Sequence, residues 1–182
     1  MNTFRPRWTP LHLFAPVLAL VLIAGCQTPP PDPAAELKPI MDAYMEVWNT
    51  GNVDALDAIV DAGVQRHVTP TASTGATSLG ELKQVITNFR VQFPDFHVSL
   101  DEEIYVAGKS AIRWTITGTH TGSTEELPAT GKAVSASGSS VMHYAEGKLT
   151  EEWAYFDNQD FMQQLGFTLA PPAAEEESAE DE

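Results

Sequence analysis

At Pro94 the hydrophobic pattern of this chain changes period, which limits it to a fold with helices first and strands afterwards. Upstream, Leu37, Ile40, Met41, Tyr44, Val47 and Trp48 recur at the spacing of one helical face, and Gly51 ends the run. Asn52 is placed to cap a short second helix with Val53, Leu56, Ile59 and Val60 on one side. Ser78-x-x-Glu81 forms a capping box opening a third helix, whose Leu82, Val85, Ile86, Phe89 and Phe93 make a buried stripe. Pro94 stops it, because its ring fixes φ and it has no N–H to donate. Downstream the alternation has period two over 96–106, 111–121, 133–144 and 149–156, with tight breaks at 108–109 and 147–148. A short strand is expected over 65–69 and a closing helical turn over 159–165. This is an α+β order, with the N-terminal helices packed against one face of a curved antiparallel sheet and a hollow between them.

The N-terminus sets the expected compartment. Arg5 and Arg7 precede an apolar run from Leu11 to Ile23, which ends in Ile23-Ala24-Gly25-Cys26. Thirteen helical residues rise about 20 Å, short of the roughly 30 Å hydrocarbon core. Residues 1–25 therefore read as a secretory signal. The last four residues resemble a lipobox, which implies that Cys26 takes a lipid and becomes the mature N-terminus. Residues 26–34, with four prolines between Gln27 and Pro33, read as a tether, and 35–168 as one domain. The acidic run after Ala170 reads as a solvated tail over 169–182. Gln27 tilts the expected location toward the periplasmic face of the outer membrane, if the host is Gram-negative.

Ten Lys and Arg face 25 Asp and Glu, a net charge of −15, and loss of Arg5 and Arg7 with the signal makes the mature chain more acidic still. That excludes nucleic acid as a partner, since such binding needs a basic footprint. Cys26 is the one cysteine, so no disulfide forms within the chain. No paired-histidine or paired-cysteine motif points to a metal, and no nucleophile elbow is present.

Candidate chemistry comes from the strands. Counting in twos along 153–157 puts Trp153, Tyr155 and Asp157 on one face, a carboxylate beside two aromatics. On the neighbouring strands, Val141 shares a face with His143, and Trp114, Ile116 and Gly118 share one with His120. His67 sits on the short strand. Each has a plainer alternative: Asp157 as the cap of the closing turn, His143 as an exposed strand residue, His120 as part of a turn, His67 as a backbone-satisfied imidazole, and Trp114 and Trp153 as core.

Phe93-Pro94-Asp95, Gly118-Thr119-His120-Thr121-Gly122, Pro128-Ala129-Thr130-Gly131-Lys132, Gly147-Lys148-Leu149-Thr150-Glu151-Glu152-Trp153 with Asp157, and Gln164-Leu165-Gly166 follow one another in this order. Together they resemble the SnoaL-like family of polyketide cyclases and ester cyclases over about residues 37–167. The resemblance implies the α+β cone of the nuclear transport factor two-like fold and ring closure by intramolecular aldol condensation without a cofactor. It implies a catalytic aspartate at Asp157, a histidine fourteen residues earlier at His143, and an early-strand histidine at His67. Trp114, His120, Trp153 and Tyr155 then line the substrate. A carboxylate in a partly apolar pocket can take a proton α to a carbonyl, with neighbouring donors stabilising the enolate. The expected function is acid–base chemistry on a small hydrophobic carbonyl compound. The alternative is a non-catalytic ligand-binding or structural envelope lipoprotein. The expected partners are that small ligand, the membrane through Cys26 and, as an open question of assembly, a second copy in a homodimer.

Overall fold

The computed structural model describes residues 31–69, 75–124 and 127–168. The proposed signal, the lipid site at Cys26 and the acidic tail lie outside or almost wholly outside these residues.

Helix α1 spans Pro33–Thr50. Asp32 caps it by accepting the Ala34 N–H at 3.0 Å, and Pro33 sits in the first turn, where a missing N–H costs nothing. The helix thus begins two residues before the expected edge of the domain and takes in the end of the expected tether. Pro39 lies inside it, and both Pro39 and the Ala35 carbonyl it leaves unbonded are on the exposed side, where water can serve. Leu37, Met41, Tyr44, Val47 and Trp48 form the buried stripe, and Gly51 ends the helix at φ 77°, a left-handed conformation that glycine adopts without strain.

The second helix differs from expectation. Val53–Ala55 is a single 3₁₀ turn, Asn52 makes no side-chain cap, and α2 is only Leu56–Ile59. Val60 turns to extended backbone and starts β1, Val60–Thr69, twice the length expected for that strand. In α3, Leu79–Gln92, Ser78 Oγ accepts the Glu81 N–H as foreseen. The Glu81 carboxylate, however, reaches Thr77, accepting from its N–H at 2.7 Å and its hydroxyl at 2.8 Å.

Strands β2 (His97–Val106), β3 (Lys109–Thr119), β4 (Ala133–Ala145) and β5 (Lys148–Phe156) follow, and α4, Asn158–Gln164, closes the described chain. The sheet order is β1-β5-β4-β3-β2; only the β1–β5 pairing is parallel. Register shifts at Val60/Gln65, Leu100/Glu102 and His143/Tyr144 bend the strands, so the sheet curls around the helices without closing.

Two polar ties hold helices to sheet. The Asn49 amide donates to the Val98 carbonyl at 3.0 Å and accepts its N–H at 2.7 Å, fastening α1 to β2. Asp95 accepts the N–H and hydroxyl of Thr119 at 2.6 and 2.8 Å, which lowers its pKa, while Arg90 donates to the Phe96 and Pro94 carbonyls. The Phe93-Pro94-Asp95 corner is thereby locked to the end of β3.

Candidate functional site

The concave face of the sheet is set by residue parity. On β3 it presents Ile112, Trp114 and Ile116; on β4, Ala136, Ser140 and Met142; on β5, Glu152, Ala154 and Phe156. On β1 the inward valines Val64 and Val68 flank Arg66. Facing this surface, α1 contributes Met45 and Trp48, α3 Phe89, and α4 Phe161. The cavity between them holds about 640 Å³ of atom-free space, its open mouth included.

One wall of this aromatic cavity is polar. Glu152 Oε2 accepts the Tyr44 hydroxyl at 2.9 Å and Arg66 Nε at 3.0 Å, and Oε1 accepts the Ser140 hydroxyl at 3.0 Å. Ser140 Oγ in turn accepts the Trp114 indole N–H at 3.0 Å. The Arg66 guanidinium also lies 5.3 Å from the centre of the Trp48 ring, a cation–π distance. Glu152 is 4% exposed, so it is held away from water by three donors, one of them the charged guanidinium. Burial and the neighbouring Glu152 charge push the Tyr44 phenol far up, so it stays a donor. Burial opposes the Arg66 charge, but attraction to Glu152 and Tyr44 and hydrogen bonding to both together outweigh it and raise the pKa.

Cross-strand register made this arrangement. Arg66 pairs with Glu152 across β1–β5, and Ser140 with Ala154 across β4–β5. Gly138 pairs with Trp114, and a Cβ there would stand 2.3 Å from the indole and 2.6 Å from the Tyr155 carbonyl. Glycine therefore lets the indole lie flat over β4.

Of the expected site residues, Trp114 lines the cavity. His67, His143, Trp153 and Tyr155 have the opposite parity and stand on the outer face. The expectation that they share the cavity is corrected by strand register: Trp153 pairs with Val141 and His67, and His143 with Glu151. They form their own cluster. His67 stacks on Trp153 with ring centres 5.1 Å apart, His143 meets its other side at 4.8 Å, and both imidazoles reach Glu151, at 3.0 and 3.5 Å. Tyr155 is 47% exposed. Among the described residues, no His, Cys, Asp or Glu cluster is arranged to hold a metal.

Asp157 takes the plainer of its two expected places. It is exposed, and its Oδ1 accepts the Asp160 N–H at 2.9 Å, capping α4. Asp157→Ala should cost roughly 0.5–2 kcal/mol in urea denaturation, and Asp157→Asn almost nothing, since asparagine caps as well. Equal losses for both would contradict the capping geometry.

His120 does face inward but is not among the cavity-lining residues. It is fully buried against Phe93, ring centres 5.1 Å apart. Its Nδ1 accepts the Thr130 N–H at 3.2 Å, which puts the ring proton on Nε2, and Nε2 has no hydrogen-bond partner among the described residues. Burial lowers its pKa. The unfolded chain, with an ordinary histidine near 6.5, then binds the proton more readily. Its contribution to stability is present above about pH 6.5 and is lost as pH falls toward the folded-state pKa. The melting temperature of His120→Asn should accordingly fall less between pH 7.5 and 5.5 than that of wild type. Parallel curves would show that His120 does not titrate in this way.

The polar cavity residues that sequence reasoning missed are Arg66, Ser140 and Glu152, together with Tyr44, which bonds to Glu152. Two signals were present: Arg66 alternates with inward valines, and Glu152 alternates with Ala154 and Phe156. The larger aromatics on the other parity of β5 drew the assignment to the outer face.

The model of the SnoaL-like polyketide cyclase family matches residues 38–165. The chain belongs to that family. Family membership supports a cyclase- or isomerase-type function and a small hydrophobic ligand. No curated protein matches this SnoaL-like chain. Among solved structures it is similar to a protein from Bacillus cereus assigned as a polyketide cyclase, with 26% identity, TM-score 0.63, and coverage of 75% of this chain and 84% of that one. It shares its fold with TsrD from Streptomyces laurentii, at 20% identity, TM-score 0.64, and coverage of 72% and 96%. It shares it also with AclR from Streptomyces galilaeus, assigned as a hydroxylase, at 19% identity, TM-score 0.63, and coverage of 76% and 86%. The nuclear transport factor two-like fold is thus shared by proteins assigned to different chemistries, and the site of this chain must be argued from its own residues.

The resemblance implied an aspartate at Asp157 with a histidine fourteen residues before it at His143. On the β4–β5 hairpin, residues fourteen apart stand directly opposite only as Ser140 and Ala154, and both line the cavity. His143 and Asp157 keep the spacing but not the opposition, because His143 pairs with Glu151 and β5 ends at Phe156. At the opposed positions this chain carries a hydroxyl and a methyl group.

Proposed function

We propose that this protein is a lipid-anchored SnoaL-like protein of the bacterial envelope whose cavity binds a small hydrophobic carbonyl compound. The observation that carries the binding claim is the single polar wall of an otherwise apolar cavity, in which the Arg66–Glu152 pair, held by Tyr44, gives orientation while the rest gives affinity. Glu152 accepts three hydrogen bonds, one of them from a guanidinium, which fix the carboxylate in the wall. Native mass spectrometry of the chain purified from its envelope should find a bound small molecule of this class. A mass equal to the bare polypeptide in every preparation would count against the reading.

Turnover of the cyclase or isomerase kind is the second reading, favoured by family membership and by a carboxylate at an apolar cavity. Its test is deuterium exchange into β-dicarbonyl compounds. Exchange lost in Glu152→Gln and kept in Asp157→Asn would place the chemistry in the cavity, and the reverse would place it at the cap.

The anchor rests on Cys26 after Ile23-Ala24-Gly25 and on the basic, apolar stretch before it. Cys26→Ala should leave the precursor uncleaved and without the added lipid mass. Unchanged intact mass and membrane partitioning would refute the anchor.

A further inference from the structure

The hydrogen-bond inventory of the polar wall states what a ligand must bring. A carboxylate has about four lone-pair positions. Glu152 uses two on Oε2, for Tyr44 and Arg66, and one on Oε1, for Ser140, so one acceptor position on Oε1 is unfilled. The hydroxyl and indole donors beside it are spent. Tyr44 gives its one hydrogen to Oε2, Ser140 gives its one to Oε1, and Trp114 gives its N–H to Ser140 Oγ. Arg66 is engaged with the same carboxylate and lies over Trp48. Glu152, Ser140 and Trp114 all line the cavity. These hydroxyl, indole and carboxylate groups therefore leave one unfilled acceptor and no free donor among them.

Charge points the same way. Arg66 and Glu152 neutralise each other across 3.0 Å in surroundings that are otherwise apolar. An anionic ligand would bury a charge with no counter-charge left to meet it, beside an existing carboxylate. A neutral hydroxyl meets no such penalty, and a hydrogen bond to an ionised acceptor is stronger than one between neutral groups.

We infer that the cavity selects a neutral hydrophobic molecule bearing a hydroxyl (a phenol, an enol or an alcohol), which donates to Glu152 Oε1. It does not select one whose polar groups only accept. For a β-dicarbonyl compound the form bound is the enol. This rests on the cavity being a ligand site, and it goes further in naming Glu152 as the residue that reads the hydroxyl.

Equilibrium dialysis of the purified chain against five probes of one ring system tests it: naphthalene, 2-naphthol, 2-methoxynaphthalene, 2-acetylnaphthalene and 2-naphthoate. The expected order puts 2-naphthol roughly tenfold or more ahead of the ether and the ketone, with the carboxylate weakest. That advantage should vanish in Glu152→Gln. The order among the five probes is read on the unaltered chain, so the test remains informative if Glu152→Gln fails to fold. Ketone or ether binding as tightly as 2-naphthol would overturn the hydroxyl inference while leaving the cavity a ligand site. So would survival of the 2-naphthol advantage in Glu152→Gln. Failure of all five probes to bind would overturn the cavity reading and this inference together.

Discussion

Glu152→Ala should destabilise the protein by about 3–5 kcal/mol, the cost of leaving one member of a buried ion pair without its partner. Arg66 would keep its charge in a wall from which the carboxylate is gone, and the hydroxyls of Tyr44 and Ser140 would lose their acceptor. Against a typical folding stability of about 5–15 kcal/mol, that is a large fraction. The useful comparison is the double replacement Arg66→Met with Glu152→Met. A buried pair exchanged for apolar side chains of similar volume is often neutral, so the double variant should recover most of the loss. Adding Tyr44→Phe should recover about 1–3 kcal/mol more by removing the orphaned hydroxyl. Urea denaturation with an unchanged m-value measures this. A double variant no more stable than Glu152→Ala would mean that the two side chains are not coupled.

Trp48→Ala is expected to cost about 3–5 kcal/mol, for a different reason. The indole is 7% exposed, with ring centres 6.4 Å from Tyr44, 5.9 Å from Phe89 and 6.0 Å from Phe96, and it carries the Arg66 guanidinium on its face. It joins α1 to α3 and to the Phe93–Phe96 corner while forming part of the cavity wall. Alanine would merge a new void with the existing cavity and would take away the ring that holds Arg66 in place. Stability and ligand affinity should therefore fall together, whereas Trp48→Phe should keep most of both. A Trp48→Ala protein with wild-type stability and no affinity would show a wall residue without a structural share.

The elements were legible in the sequence wherever local chemistry decided them. The 3.6-residue stripe of α1, the Ser78 cap of α3 and the breaks at Gly108 and Gly147 follow from positions a few residues apart. The short helix after Gly51 was not, because Val60 satisfies a helical stripe and a strand equally well and only its pairing with Leu149 settles the matter. Parity on β5 shows the same limit more sharply. Trp153 and Tyr155 alternate against Ala154 and Phe156, so hydrophobicity alone does not say which set faces in. The tertiary partners decide: Arg66 on β1, Ser140 on β4 and Tyr44 on α1 gather at Glu152, and none is near it in sequence. A site built from a buried charge pair is hard to read for a general reason. Its residues look like surface residues until both members are seen to point the same way.

The account turns on whether the cavity takes a ligand. In a chain begun at Cys26, three tryptophans remain; Trp48 and Trp114 line the cavity and Trp153 stands on the outer face. In a Trp153→Phe protein the intrinsic emission reports the cavity alone. Titration with 2-acetylcyclohexanone, a small aliphatic β-dicarbonyl with a stable enol, should give a saturable change in that emission. The change should disappear when Ala154→Leu, added to the same protein, fills the cavity floor. A linear response without saturation, equal in both proteins, would contradict the claim.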